Sequence, residues 1–529
     1  MKNFALAIVA ATLPALAVAA PPADFVRRVE IARTQIGVPG MAIAIVEDHK
    51  VTFARGFGVR ALGRSEPVDA DTIFPTGSTG KAVTVAALAI LVDQGKIGWD
   101  DKVIDHLPGF QMYDPWVTRE MTIRDLLVHR SGLGLGEGDL MFVPRTNLTR
   151  AESVRRLRYL KPATSFRSGF AYDNVLYMVA GQLIEAVTGQ SWEKFTAEHV
   201  LMPAGMLHST SDNQIRLATD NRAQPHARIG GTLRGLGSQA LLDERDELGR
   251  SAAPAGGLAI SANDFARWLL IQLSGGRLPE GGGRLFSEAA HQQMWTPVVL
   301  EPIEPVAEAL QATQPLFSTY ALGWEVRDYR GARVVWHHGS VLGSTAAVVL
   351  IPDKQTGFSI EINSEDGEIL DGLMYELLDY YIGGAAGTRA TADWPKIFIA
   401  AKRQELAQAL QAFQTVHEHP ANVGPSLPLA RYAGTYTDNW YGEVVIGESQ
   451  GALAIDFKST PRMAGRLEHW QYDSFITRFD DPAIEPAYVT FDLDEAGHIT
   501  RITMKPVSPL ADFSYDYRDL DFKPAEHAP

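Results

Sequence analysis

Between Lys81 and Val92 the chain runs Lys-Ala-Val-Thr-Val-Ala-Ala-Leu-Ala-Ile-Leu-Val and closes with Gln94-Gly95. A helix of that sequence is apolar nearly all round, so protein must enclose it on every side. Tyr177 to Val187, closed by Thr188-Gly189, has the same character. Two such helices demand a large surrounding body, and 529 residues exceed what one hydrophobic core ordinarily organises, so two or more domains are expected.

Strand signals flank the helical middle. Met41 to Val46 and Val51 to Ala54 predict a hairpin turning at Glu47-Asp48-His49-Lys50. Val334-Val335-Trp336, Ala346 to Ile351 and Phe358 to Ile362 predict short strands near the end of the same region. Ser261-Ala262-Asn263-Asp264 predicts a capped helix through Leu270. Strands at both ends with helices between them give an α+β domain, one antiparallel sheet with helices packed on it. Residues 385–428 read as a connector with a helix from Pro395 to Phe413. From 429 to 529 short strands with turns predict a small all-β barrel or sandwich.

Residues 1–19 read as an export leader: Lys2, an apolar run from Phe4 to Val18, and Ala17-Val18-Ala19 as a cleavage site. The run is short for a membrane span, and none is expected once the leader is removed. The chain has no cysteine, which excludes disulfides, thiol nucleophiles and cysteine zinc sites. A bacterial periplasmic or secreted location fits both features. Net charge is −15, which disfavours nucleic acid as a partner.

Ser78-Thr79-Gly80-Lys81 is a Ser-x-x-Lys at the mouth of the buried helix. Positions three apart share a helix face, which sets the Lys amine beside the Ser hydroxyl. In a dry pocket that amine loses its charge and can take the Ser proton, activating a weak nucleophile for acyl transfer. The tetrapeptide alone reads equally as an N-cap, and a second copy, Ser191-Trp192-Glu193-Lys194, follows Thr188-Gly189-Gln190 and reads best as one. Tyr172-Asp173-Asn174 offers a proton relay and an amide to orient Lys81, against the plain alternative of a loop turn. His337-His338-Gly339-Ser340 follows a strand. A His there can hydrogen-bond the hydroxyl relay, and the strand edge can lend an N–H to an oxyanion. The alternatives for the pair are a paired surface histidine or half a metal site, but no third ligand accompanies it. The turn Thr76-Gly77-Ser78-Thr79-Gly80 lacks the first glycine of an α/β-hydrolase elbow, and Gly132-Leu133-Gly134-Leu135-Gly136 is too weakly placed for a nucleotide site.

Taken in order, Ser-x-x-Lys, Tyr-x-Asn and His-x-Gly resemble the serine β-lactamase and penicillin-binding-protein superfamily, especially peptidase family S12 and the class C β-lactamases. Leu126 to Leu133, Leu201-Met202-Pro203-Ala204-Gly205-Met206 and Ala255-Gly256-Gly257-Leu258 carry the same likeness. The resemblance spans about Asp24 to Gly384, giving a hydrolase domain over 20–384. Tyr432-Ala433-Gly434-Thr435-Tyr436 and Tyr441-Gly442 make residues 429–529 similar to an appended lipocalin-like barrel. The resemblance implies a β-lactamase/transpeptidase-like fold, an acyl-enzyme on Ser78, and Lys81 as proton acceptor. It implies Tyr172 as base and then acid, with Asn174 orienting. His337 would stand where lactamases have Lys, Gly339 would let substrate lie along the strand, and the Ser78 and Ser340 amides would form the oxyanion hole. The histidine puts β-lactam hydrolysis in doubt and favours a peptidase of short linear peptides, including D- or unusual residues and linearised cyclic peptides. The alternatives are an esterase or β-lactamase of the same fold, or a non-catalytic penicillin- or peptide-binding sensor. No cofactor is implied. The oligomeric state and the job of the C-terminal domain stay open: the domain either walls the site, with Trp440-Tyr441 and Trp470 as the signs, or is a stabilising or dimer-forming appendage.

Overall fold

A computed structural model describes residues 21–525, apart from 23, 247, 384–391 and 417–422. The leader read at 1–19 and residues 385–391 and 417–422 of the connector lie outside the described residues. The body is built on an antiparallel sheet of eight strands: β1 (Gly40–Glu47), β2 (Lys50–Gly58), β3 (Val299–Leu300), β4 (Ser318–Tyr320), β5 (Glu325–Tyr329), β6 (Ala332–Val341), β7 (Ser344–Ile351) and β8 (Thr356–Ile362). Their spatial order is β2-β1-β8-β7-β6-β5-β4-β3. The hairpin β1–β2 turns at Asp48 and His49, both at positive φ (45° and 64°), as a two-residue turn matched to strand twist requires. β1 then pairs with β8, Met41 opposite Ile362, which brings the two ends of the domain together.

β1, β7 and β8 are buried at every position because both faces of the sheet are covered. Helices Phe25–Ile36 and Gly367–Ile382 cover one face, joined by the connector helix Trp394–Val416. The helical region covers the other. At its centre lies helix Lys81–Asp93, buried at every position from Lys81 to Leu91 and packed against helix Val175–Thr188. Ser261 caps helix Ala262–Leu273 by accepting from Asp264 N at 3.2 Å. No helix among the described residues is long and apolar enough to cross a membrane.

The C-terminal strands close into an eight-stranded antiparallel barrel, β9 (Gly434–Asp438), β10 (Gly442–Ser449), β11 (Ala452–Phe457), β12 (Ala464–Gln471), β13 (Ser474–Phe479), β14 (Ala487–Leu493), β15 (Ile499–Pro506) and β16 (Asp521–Pro524), sealed where Tyr436 pairs with Pro524. Alternate residues such as Leu453, Ile455 and Phe457 fill its interior. The barrel sits on the helical region. Asp516 accepts from Gly138 N and Leu140 N at 2.6 and 2.9 Å, and Arg518 donates to Leu135 O at 2.7 Å. The glycine-rich run Gly132–Gly136 is therefore part of the shelf that carries the barrel.

Candidate active site

The short strand pair Phe74–Pro75 with Ala259–Ile260 delivers the chain into a 3-10 turn, Gly77–Gly80, from which helix Lys81–Asp93 continues. Ser78 sits on that turn, and Lys81 Nζ lies 2.9 Å from its hydroxyl. The ammonium position has two further partners, Asn174 Oδ1 at 2.7 Å and the Ala255 carbonyl at 2.9 Å. Asn174 Nδ2 donates to Asp139 at 2.9 Å, which fixes its oxygen toward Lys81. Both of these Lys81 partners only accept. A neutral amine spends its two protons on them and keeps its lone pair for the Ser78 hydroxyl. Burial pulls Lys81 down to about 7, against the opposing pull of Asp139 and Asp173, so this neutral form is reached near neutral pH.

The surroundings are aromatic and dry. Lys81 Nζ lies 4.8 Å from the Tyr172 ring centre and 5.0 Å from that of Tyr177. The Tyr172 hydroxyl is buried with no hydrogen-bond partner among the described residues; burial holds it well above 10, against the pull of the nearby Ser78 hydroxyl. His129, at positive φ and fully buried, stacks on Tyr172 with ring centres 4.0 Å apart. Its Nδ1 lies 3.1 Å from Asp173 N and 3.3 Å from Asp173 Oδ1, while its Nε2 is buried with no hydrogen-bond partner among the described residues.

β6 outruns its neighbour β5, whose pairing stops at Trp336 opposite Glu325. Beyond that point the edge of β6 faces the Ser78 turn instead of another strand. The two backbones touch. A Cβ on Gly339 would stand 2.8 Å from Ser78 N and Thr79 N and closer still to Thr76 O, while one on Gly77 (φ 53°) would stand 2.6 Å from Ser340 N. Gly339 was expected to let substrate lie along the strand; the space its missing side chain leaves is filled by the Ser78 turn. Nor does His337 bond the Tyr172 hydroxyl. Its Nδ1 donates to the His338 carbonyl, and its Nε2 lies 2.8 Å from Tyr320 Oη, which must then donate. Burial and the Lys81 charge hold its pKa well below 6.5, so the ring is neutral. His338 pairs with Asp371 at 3.0 Å, and no group of three His, Asp or Glu among the described residues is placed to hold a metal.

A cavity of about 790 Å³ opens from Ser78, Tyr172 and Asn174 and extends past Leu236 to the connector helix at Leu406 and to the barrel at Phe513. A second, of about 450 Å³, shares Tyr172, Glu325 and Phe513 with it. The barrel does wall the site, but through the loop between β15 and β16. Trp440 and Tyr441 are buried and do not line it, and Trp470 packs on Tyr488.

The beta-lactamase family profile matches residues 25–379. The chain belongs to the beta-lactamase family. A second profile, a domain of unknown function (DUF3471), matches residues 418–524. Among named relatives, an unguisins hydrolase of Aspergillus violaceofuscus is 29% identical, covering 85% of this chain and 82% of its own. Penicillin-binding protein 4 of Amycolatopsis lactamdurans is 27% identical over 71% of this chain and 92% of its own. The octameric penicillin-binding protein homologue from Pyrococcus abyssi superposes with a TM-score of 0.58 at 20% identity, covering 91% of this chain and 97% of its own. SurE does so with a TM-score of 0.52 at 21% identity, covering 95% and 98%. Of the residues that motif spacing singled out, Ser78, Tyr172, Asn174 and His337 line the larger cavity and Lys81 is buried behind Ser78. Motif spacing did not single out His129, Asp139, Asp173 or Tyr320, nor the barrel residues Phe513 and Ser514.

Proposed function

We propose that this beta-lactamase-family protein is an exported serine hydrolase that cleaves short linear peptides through an acyl-enzyme on Ser78. The observation that carries the reading is Lys81, buried, with two acceptor-only partners and its remaining direction aimed at the Ser78 hydroxyl. Neutral Lys81 takes the hydroxyl proton as Ser78 attacks the carbonyl. The Ser78 and Ser340 amides, held together by the contact of the two backbones, receive the oxyanion. Tyr172 hands its proton to the leaving amine and regains one from the Lys81 ammonium. Neutral Lys81 then takes a proton from the water that attacks the acyl carbonyl and returns it to Ser78 Oγ as the acid leaves, and Asn174 orients both Lys81 and the substrate amide. His337 stays neutral and holds Tyr320 behind this array. The larger cavity, of about 790 Å³, favours an oligopeptide over a single small ester.

The test is intact mass after incubation with a fluorophosphonate, with a panel of peptides, activated esters and β-lactams on the same enzyme. Ser78→Ala should lose both labelling and turnover, and Lys81→Ala should lose ~10²–10⁴-fold in rate. Ser191→Ala should stay close to the parent, because Ser191 caps a helix by accepting from Lys194 N. Labelling that survives Ser78→Ala would sink the reading. Acylation without turnover on every substrate would move the protein to the sensor class.

A further inference from the structure

Asp139 is fully buried, and one of its carboxylate oxygens, Oδ2, takes two hydrogen bonds. One comes from Asn174 Nδ2 at 2.9 Å, the amide whose oxygen receives Lys81; the other comes from the Ser514 hydroxyl of the barrel, at 2.8 Å. The barrel also grips the backbone on either side of Asp139, because Asp516 accepts from Gly138 N and Leu140 N. An unbroken line of contacts thus runs Ser514–Asp139–Asn174–Lys81–Ser78, every link between 2.7 and 2.9 Å. The other oxygen of Asp139, Oδ1, is buried with no partner among the described residues, so the Ser514 hydroxyl is one of only two donors to this carboxyl, and undocking the barrel would remove it.

We infer that Ser514 is a positioning residue for Lys81, acting through Asp139 and Asn174, so that the docked barrel finishes the catalytic base of the other domain. The inference rests on the reading of Lys81 as base. Ser514 donates to the ionised form of Asp139 and so favours it, although burial pushes the carboxyl up to about 8. Ionised Asp139 in turn favours protonated Lys81. The other groups facing this pair are Asp512 and Asp516 from the barrel, and Asp173, His129, His337 and the Tyr172 and Tyr177 rings around Lys81.

Removing the hydroxyl leaves Asp139 neutral over more of the pH range, which lets Lys81 shed its proton earlier. The test follows the rate of Ser78 labelling by a fluorophosphonate against pH in the full chain. In Ser514→Ala the acid limb should move to lower pH, with a several-fold lower plateau as Asn174 loses its firm anchor. Ser514→Thr should restore both. In an Asp139→Asn background Ser514→Ala should move the limb no further. Ser514→Cys, which keeps the size and weakens the donor, is read the same way if the alanine variant does not accumulate. A purely structural hydroxyl would lower melting temperature or plateau without moving the limb. A limb that coincides with the parent's, or a shift that persists in Asp139→Asn, overturns the inference while Ser78 is still labelled. Loss of Ser78 as the labelled residue would instead overturn the proposed function.

Discussion

Gly339→Ala should be among the most damaging single-methyl changes available to this enzyme. The added Cβ would meet main-chain atoms only, Ser78 N and Thr79 N at 2.8 Å and Thr76 O closer still, so no side chain can swing away to relieve it. Relief requires the β6 edge and the Ser78 turn to part by something on the order of 1 Å, a misplacement that can cost about 10²-fold in rate. The same parting pulls the Ser78 and Ser340 amides away from a shared oxyanion, and loss of one such donor typically costs ~10²–10³ in kcat. Overpacking of this kind destabilises by about 1–3 kcal/mol, which a domain of this size tolerates as a fall of a few degrees in Tm. The assay is burst kinetics on an activated ester, with circular dichroism and a thermal melt on the same preparation. Acylation within threefold of the parent in a folded Gly339→Ala would refute the backbone-contact argument, because the methyl would then have found room the structure does not contain.

Lys81 and His337 divide the pH dependence between them. Burial lowers Lys81 to about 7, so its protonation should shut activity down as pH falls through that value, whereas His337, held well below 6.5, stays neutral across the same window. The acid limb of kcat/KM should therefore survive in His337→Gln; its disappearance would make the histidine the titrating group. Phe513→Ala removes the ring that packs edge-on against Tyr172 and borders both cavities. Small-ester turnover should persist, while kcat/KM for the longest peptides falls about tenfold, or ~1.4 kcal/mol of binding. Unchanged ratios between peptides and esters would show that the barrel loop does not meet the substrate.

What the sequence made legible was local. Two Ser-x-x-Lys copies could be told apart by their neighbours: Ser78 opens a helix that is apolar on every side, while Ser191 follows a Thr-Gly stop, and its Lys194 ends in an exposed pair with Glu198. The hairpin at Asp48-His49, the capped helix after Ser261 and the connector helix were readable for the same reason, since periodicity and turn chemistry act over a few residues. Asp173 misled, because Asp-Asn normally marks a solvent turn. Here its carboxyl is buried on the Ser131 hydroxyl at 2.6 Å. His129, Asp139 and Tyr320 carry no spacing signature at all, as they reach the site only when separate loops and strands fold together. Trp440 and Tyr441 looked like a wall for the site because they are large and adjacent, yet both are spent inside the barrel and its footing, where Arg156 reaches their carbonyls.

Residues 139 and 514 stand 375 positions apart, one on each structural unit, and meet through a single hydroxyl. That contact ties the inheritance of the two units together. A barrel with a different loop in place of residues 507–520 would leave Asp139 without the Ser514 hydroxyl and the Gly138 and Leu140 amides without their Asp516 acceptor. The productive path for divergence is therefore the loop between β15 and β16 itself, which can lengthen or change its tip residues while Ser514 and Asp516 keep their grip.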